Sequence, residues 1–340
     1  MSRLRVAVAG ATGAVGQEMM SVLESRRFPV SDLVPLASER SLGKKVVFHG
    51  EKLEVKALGK DSFRGVDLAL FSAGASISRE MAPHAVRDGA VVVDNSSAFR
   101  MDAEVPLVVP EVNADRIRTH KGIIANPNCS TIIMVVAITP IHRLSPIQRI
   151  VASTYQASSG AGAKGIDALL RELAGEGRPA AAIPVNTRAQ GSPFPHRLAG
   201  NLIPRIDVLQ DNGYTKEEMK MVHETRKIME LPPIPISATC VRVPVERAHS
   251  ESIQITTRSP LTLEQIRAAI AAAPGVSLLD SPREDVYPTP LSVSGQDDVY
   301  VGRIRRHPDE PATYDLWVVG DQIRKGAALN AVQIAEELFP

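Results

Sequence analysis

Apolar residues follow two different rhythms along this chain, and the change between them falls near residue 128. Before it, short apolar runs alternate with helical stretches. Leu4-Arg5-Val6-Ala7-Val8-Ala9 reads as a buried strand, and Met19, Met20, Val22 and Leu23 mark the packed face of a following helix. Further strands are expected to end near Val34-Pro35-Leu36-Ala37-Ser38, over Val66–Phe71, over Ala90–Asp94 and at Ile123-Ile124-Ala125, with a helix over Ile77–Val86. The strands run into small polar residues, as in a parallel sheet that binds ligands at its carboxyl ends. That places Gly13, Ser72, Asn95 and Asn128 on one rim, although they lie far apart in sequence.

After residue 128 the pattern becomes α+β with a mixed or antiparallel sheet. A helix from Cys129 to about Leu144 leads to a strand over Arg149–Gln156 and a glycine turn entering a helix near Ile166–Leu173. Gly175 to Pro195, rich in Gly, Pro and Ala, reads as a long loop. A helix is expected over Tyr214–Met229, with strands over Ala238–Val245, Ser252–Thr257 and Tyr314–Val319. Ile323–Leu338 has helical periodicity. The expected fold class is therefore α/β. A Rossmann-like parallel-sheet domain spans 1–128, with a C-terminal helix (320–340) returning to it. An α+β domain with a mixed sheet spans 129–319.

Composition narrows the class. The 340 residues suffice for two domains of the usual size, about 100–200 residues each. Hydrophobic content of 44% and charged content of 23% suit a globular chain with a real core, and a net charge of +1 gives nucleic acid or an anionic membrane no foothold. No apolar stretch approaches the roughly 18 residues of a membrane span. The N-terminus runs straight into a strand and reads as lacking a signal peptide. Two cysteines make no disulfide framework, and a thiolate enzyme needs a reducing compartment, so a cytosolic location is expected. No metal site is expected.

Two segments carry candidate chemistry. Cys129 follows an Asn126-Pro127-Asn128 turn and precedes the apolar run Ile132–Ile138, so it sits where a loop opens a helix. Free N–H groups and the helix dipole there favour an anion and can lower a thiol pKa from about 8.5 to roughly 3.5–7.5. A nucleophile is one reading; a small buried residue at a helix start is the other. At the N-terminus, Gly10-Ala11-Thr12-Gly13-Ala14-Val15-Gly16 lies between strand and helix, the context of a dinucleotide-binding turn, with spacing G-x-x-G-x-x-G. The next strand ends in Ser38-Glu39-Arg40-Ser41, followed by Lys44-Lys45. Arg40 with Ser41 favours the 2′-phosphate of NADP; Glu39 keeps NAD open.

With these segments in view, the chain resembles aspartate-β-semialdehyde dehydrogenases along nearly its whole length. The motifs are Gly10–Gly16, Asn95-Ser-Ser-Ala-Phe-Arg100, Asn126-Pro-Asn-Cys-Ser-Thr131, Tyr155-Gln-Ala-Ser-Ser-Gly-Ala-Gly162, Glu217-Glu-Met-Lys220 and Arg242-Val-Pro-Val-Glu-Arg-Ala-His249. The resemblance implies reductive dephosphorylation of L-aspartyl-4-phosphate to L-aspartate 4-semialdehyde with NADPH, in lysine (diaminopimelate), threonine, methionine and isoleucine biosynthesis, by a homodimer or dimer of dimers. It implies Cys129 as nucleophile, His249 for proton transfer and Gln156 to orient the intermediate. Arg242 would hold the substrate carboxylate, Arg100 and Lys220 the phosphate, and Glu217 the ammonium. Cofactor contacts would come from Gly10, Thr12, Gly13, Ala14, Val15, Arg40, Ser41, Ser72, Gly74, Ser159, Gly160 and Gln322. Cys240 is assigned to the core. N-acetyl-γ-glutamyl-phosphate reductase shares the acyl-phosphate logic. A glyceraldehyde-3-phosphate dehydrogenase fits less well, since its Ser-Cys-Thr-Thr-Asn run is absent. A Rossmann nucleotide sensor without turnover would have no need of Cys129, Gln156 and His249 together.

Overall fold

The computed structural model describes residues 4–175 and 191–340, so most of the expected Gly175–Pro195 loop lies outside the described residues. The chain opens with β1 (Leu4–Ala9), α1 (Ala14–Ser25) and β2 (Val30–Ala37), then a small hairpin of β3 (Lys45–Phe48) and β4 (Glu51–Glu54), and β5 (Lys56–Ala57). Next come β6 (Leu68–Phe71), α2 (Ala75–Arg87), β7 (Val91–Asp94), α3 (Pro110–Asn113), β8 (Ile123–Ala125) and α4 (Cys129–Leu144). The remainder holds β9 (Ile147–Gln156), α5 (Ala163–Leu173), α6 (Lys216–Ile228), β10 (Ile236–Arg242), β11 (His249–Thr257), α7 (Leu263–Ala271) and β12 (Val276–Leu278). It closes with α8 (Pro290–Val293), β13 (Val299–Arg306), β14 (Thr313–Gly320) and α9 (Leu329–Leu338).

Two compact units emerge. One comprises Met1–Val136, His223–Pro232 and Ile323–Pro340; the other comprises Ala137–Val222 and Pro233–Gln322. The first contains a six-stranded parallel sheet in the order β5-β2-β1-β6-β7-β8. Strand alternation explains how it is covered on both sides. Val6, Val8, Leu68, Leu70, Val93 and Ile124 share one core with Met19 and Leu23 of α1 and with Leu329, Val332 and Ile334 of α9. Ala7, Ala9, Ala69, Phe71 and Val92 share another with Ala82 and Ala85 of α2 and with Phe63 and Phe99. Each large side chain so buried contributes about 1.5–3 kcal/mol relative to exposure.

The Ile323–Leu338 pattern, expected as one helix, begins as a wide π-helical turn at Arg324–Ala328 and becomes α-helical only at α9. The buried Lys325 holds that turn. Its Nζ donates to Glu111 Oε2 (2.7 Å), Asn330 Oδ1 (3.0 Å) and Gln333 Oε1 (2.7 Å), a satisfied pocket for a charge that burial would otherwise oppose.

In the second unit the sheet order is β10-β9-β11-β14-β13-β12, with β10–β9 and β12–β13 parallel and the other pairs antiparallel. One face is closed: Ala152, Ile253, Ile255, Leu316 and Val318 are buried. On the other face Val151, Ser153, Tyr155, Ser252, Gln254 and Trp317 are half-buried, and the Tyr155 and Trp317 rings meet at 5.5 Å. Among the described residues no helix is long and apolar enough to cross a membrane.

Candidate active site

The Asn126–Cys129 turn is built almost entirely from buried amides. Asn128 caps α4: its Oδ1 accepts from Thr131 N (3.2 Å) and its carbonyl from Ile132 N (2.9 Å). Cys129 is therefore the first residue of the helix, half-buried and in no disulfide. Asn126 is fully buried. Its Nδ2 donates to Asn95 Oδ1 (2.5 Å) and to Ala327 O (3.1 Å), and its Oδ1 accepts from Asn330 Nδ2 (2.6 Å). A Cβ added to Gly326 would stand 2.9 Å from Cys129 Cβ, so the π-helical turn presses on Cys129 with bare backbone.

Arg100 is buried beside this turn. Its Nε donates to Asn126 O (2.9 Å), one terminal nitrogen to Asn95 O (3.0 Å) and the other to Glu224 Oε1 (3.1 Å). These bonds use three of its five N–H groups among the described residues.

The nucleotide rim lies at the carboxyl ends of β2, β1 and β6, which end in register with one another. The strand order reverses at β1, the place where ligands bind in open α/β sheets. Gly10 has φ +93°, and a Cβ there would meet Ser72 O at 2.4 Å, so the first glycine is required by the turn itself. At Gly13 a Cβ would meet only Gly10 O, at 3.3 Å, so the protein makes a weaker demand there. Both α1 and α2 begin at glycines, Gly13 and Gly74, with no side-chain cap and no acidic residue in the first turn. Two such helix starts on one rim fit a dinucleotide's phosphates. Thr12 Oγ1 lies 3.2 Å from Ser41 Oγ, joining the glycine turn to the Glu39–Ser41 segment, where Glu39 and Arg40 are both exposed.

The second unit carries the remaining candidates on the closed face of its sheet. Arg242 pairs with Gln156 across β10 and β9. Gln156 Nε2 donates to Glu217 Oε1 (3.1 Å), and Lys220 Nζ donates to Glu217 Oε2 and to Asp207 Oδ2 (2.9 Å each). Burial opposes the Lys220 charge, but the two carboxylates outweigh it and raise its pKa. Arg242 donates to Ala157 O (2.5 Å) and lies over the Phe194 ring at 5.8 Å. It also lines a cleft of about 510 Å³ with Arg205, Asp207 and Ile203.

His249 is fully buried. Its Nδ1 accepts from Ala157 N (3.1 Å), so in the neutral ring the proton sits on Nε2, which has no partner among the described residues. Burial first, and the Arg242 guanidinium second, hold its pKa well below the usual imidazole value. Both effects favour the neutral ring, with its N–H on Nε2. Gly160 packs over both side chains; a Cβ there would meet an Arg242 terminal nitrogen at 2.7 Å and His249 Cε1 at 3.3 Å. Gln322 takes Ala248 N–H on its Oε1 (2.8 Å) and donates to Ser159 Oγ, fixing the two segments that flank the imidazole.

Of the sequence candidates, Cys129, Arg100 and the rim residues Gly10 to Val15, Arg40, Ser41, Ser72 and Gly74 lie in the first unit. Gln156, His249, Arg242, Glu217, Lys220, Ser159, Gly160 and Gln322 lie in the second. Asp207, Glu224 and Gly326 were missed. Only Glu224 had a visible signal, as the residue two turns after Glu217 on the same helix stripe. Cys240 is buried, and burial pushes its thiol pKa up, as befits a core residue. Two other histidines cap local backbone: His120 Nδ1 accepts from Gly122 N and His142 Nδ1 from Ile147 N.

One unit thus carries a thiol at a helix start and a Rossmann-type rim, the other a buried histidine, arginine and glutamine, and comparison with known proteins gives the class. A family model described as "Semialdehyde dehydrogenase, NAD binding domain" matches residues 5–120, and one described as "Semialdehyde dehydrogenase, dimerisation domain" matches residues 138–325. This is a semialdehyde dehydrogenase. Within that class, aspartate-semialdehyde dehydrogenases of Aquifex aeolicus and Bacillus subtilis are 53% and 49% identical to it, each over 98% of this chain and 97% of the relative. The crystal structure of aspartate semialdehyde dehydrogenase II complexed with ASA from Vibrio cholerae superposes with a TM-score of 0.93 at 46% identity, covering 99% of this chain and 98% of that one. The Candida albicans enzyme with NADP gives 0.75 at 25% identity, covering 99% and 98%. The chain belongs to the aspartate-semialdehyde dehydrogenase family.

Proposed function

We propose that this protein reduces L-aspartyl-4-phosphate to L-aspartate 4-semialdehyde and runs the phosphorylating oxidation in reverse, using NADP in preference to NAD. The observation that carries this is the thiol of Cys129 on the first residue of a capped helix, in a chain about half identical to aspartate-semialdehyde dehydrogenases over its length. Cys129 attacks the acyl carbon; the C–S bond forms as the C–O bond to phosphate breaks, and phosphate leaves with the electron pair. Bound NADPH would supply hydride for the thioester. His249, with its proton held on Nε2, donates a hydrogen bond to the substrate oxygen as negative charge gathers there. Collapse of the thiohemiacetal then breaks the C–S bond and returns Cys129 as thiolate.

Arg242 holds the substrate carboxylate, Arg100 and Lys220 hold phosphate, Glu217 receives the α-ammonium and Gln156 orients the intermediate. Glu217 accepts from Gln156 on one oxygen and from Lys220 on the other, which fixes its carboxylate in place. The rim from Gly10 to Val15, with Ser72 and Gly74, takes the dinucleotide, and Arg40 with Ser41 its 2′-phosphate; Ser159, Gly160 and Gln322 frame the nicotinamide. Residues 1–128 with 320–340 would thus serve the nucleotide, and 129–319 catalysis and dimerisation. A homodimer, or a dimer of dimers, would cover the half-buried outer sheet face around Tyr155 and Trp317. Neither cysteine is in a disulfide, which suits the reducing cytosol.

The test is a spectrophotometric assay with aspartate semialdehyde, phosphate and NADP, following formation of the reduced cofactor. Phosphate-dependent turnover is expected. Turnover with N-acetylglutamate semialdehyde instead would overturn the substrate assignment, and absence of turnover with both would leave only nucleotide binding.

A further inference from the structure

We propose that Glu224 is a positioning residue for this reaction: its single buried carboxylate fixes both the Arg100 guanidinium and the turn that carries Cys129. The inference rests on the reading of Arg100 as a phosphate-holding cation. Glu224 is 2% exposed and divides its two oxygens between two donors. Oε1 accepts from Arg100 (3.1 Å), and Oε2 accepts the backbone N–H of Asn128 (2.6 Å), the residue before the nucleophile. Arg100 Nε in turn donates to Asn126 O (2.9 Å). The bonds therefore close a ring: Arg100 to Asn126, along the chain to Asn128, to Glu224 and back to Arg100.

One turn further along α6, Lys227 Nζ donates to the carbonyls of Arg100 (2.7 Å), Asp102 (2.8 Å) and Val105 (2.8 Å). The same helix thus grips Arg100 twice, by its guanidinium and by its backbone. Neither Glu224 nor Lys227 needs to touch substrate. Their effect is to set the distance between a cation and a thiol that must reach the two ends of one acyl–phosphate bond.

Chemistry at the ring dictates a clean substitution. Both partners of Glu224 are donors, so the site requires two acceptors. Glutamine has the same shape but only one acceptor, and Glu224→Gln must set its NH2 against either Arg100 or Asn128 N–H. Glu224→Asp keeps the charge that balances buried Arg100, which protects the fold, but its shorter arm reaches one partner at a time. Initial rates are measured with varied phosphate at saturating aspartate semialdehyde and NADP. In either variant the phosphate KM is expected to rise about tenfold to a hundredfold, because misplacing a reacting or binding group by roughly 1 Å has effects of that order. NADPH affinity should stay at the wild-type value. In an Arg100→Lys background, adding Glu224→Gln should change phosphate KM by less than about threefold, the non-additivity expected when one residue acts through another.

A second readout needs no turnover. Millimolar phosphate should raise the melting temperature of wild type and fail to do so in Glu224→Gln. A residue with a merely structural role would lower the melting temperature without phosphate and leave phosphate KM and the phosphate-induced shift intact; that result overturns the proposal. A lower phosphate KM overturns it as well, because Glu224 would then be competing with phosphate for Arg100. If wild type itself lacks phosphate-dependent turnover, the functional reading fails, and the melting shift still decides the role of Glu224.

Discussion

Around Cys129 the buried amides are saturated, whereas the row at the end of β9, β10 and β11 keeps buried atoms with no hydrogen-bond partner among the described residues. Asn126 uses both ends of its amide, Asn128 its side chain and backbone, and Arg100 three of its N–H groups. In the second unit His249 Nε2 and both oxygens of Glu251 have no hydrogen-bond partner among the described residues. An unpaired buried polar group costs about 1–3 kcal/mol, so the contrast has a meaning. A nucleophile must be held still before substrate arrives. A donor that meets developing charge must be left open, and substrate completes it. Glu251 fits neither case. It pairs across the sheet with Thr154 and Val318, two residues along β9 from the Arg242–Gln156 pair, and burial pushes its pKa well above the usual carboxylate value. Burial therefore favours its protonated form.

The largest expected effect breaks the saturated side of the comparison. Cys129→Ser should fold as wild type and lose turnover entirely, because serine has no acidic thiol and no base is assigned to activate it. Mass spectrometry of wild type with substrate should find the acyl adduct on Cys129. Normal turnover in the serine variant would end the covalent mechanism.

On the open side, Arg242→Lys replaces a planar fork by a single compact charge. Losing a desolvated bidentate contact costs on the order of 2–5 kcal/mol, so kcat/KM for aspartate semialdehyde should fall by a few orders of magnitude at most, with NADP affinity near wild type. Unchanged efficiency would remove Arg242 from the carboxylate site.

Cofactor choice comes next. Arg40→Ala should weaken NADP by about tenfold or more, the order expected for a charge-assisted contact, and leave NAD nearly unchanged. Equal losses for both, measured by titration of the bound nucleotide, would show that Arg40 does not read the 2′-phosphate.

The smallest effect sharpens the comparison through pH. A carboxyl whose folded pKa is raised keeps its proton where the unfolded chain has released it. Stability therefore falls as pH rises from the ordinary carboxylate range toward that raised value. Glu251→Gln removes the proton and the penalty together. Melting curves should show it a few degrees more stable than wild type at pH 8 and nearly equal at pH 4, where about 1 kcal/mol corresponds to roughly 2–4 °C in a domain of ordinary size. An equal gain at both pH values would mean Glu251 is not held neutral by the fold.

Much of this was legible in the sequence because period and chemistry coincide. The apolar runs of β1, β6, β7 and β8 announced a parallel sheet, and the Asn-Pro-Asn-Cys segment announced a helix start at Cys129. The ribbon of β3 and β4 was not, since Lys45, Glu51, Lys52 and Glu54 are charged and its alternating pattern is only four residues long on each strand. Strand β13 alternates for a few residues and then meets Arg303, Arg305 and Arg306, which mask it. Helix α7 is short, and its capping box from Thr262 to Gln265 was its only strong signal. In the site, residue types and motifs singled out the groups proposed to touch substrate. Asp207, Gly326 and the ring through Glu224 depend on segments that meet only in space. The depressed pKa of His249 is likewise a property of its burial, which no single residue letter carries.

The composition of the first unit also dictates an order of events during synthesis. One face of its parallel sheet is closed by Leu329, Val332 and Ile334 of α9, and its Arg100 is gripped by residues of α6. Both segments leave the ribosome long after β8 is complete. While the second unit is being translated, the nucleotide-binding sheet has apolar strands exposed and cannot finish its core, a condition that invites aggregation at the pace of translation. Nascent chains halted before residue 323 should therefore be captured by chaperones and cut readily by protease within the first 136 residues. Full-length chains should gain resistance there in a single step.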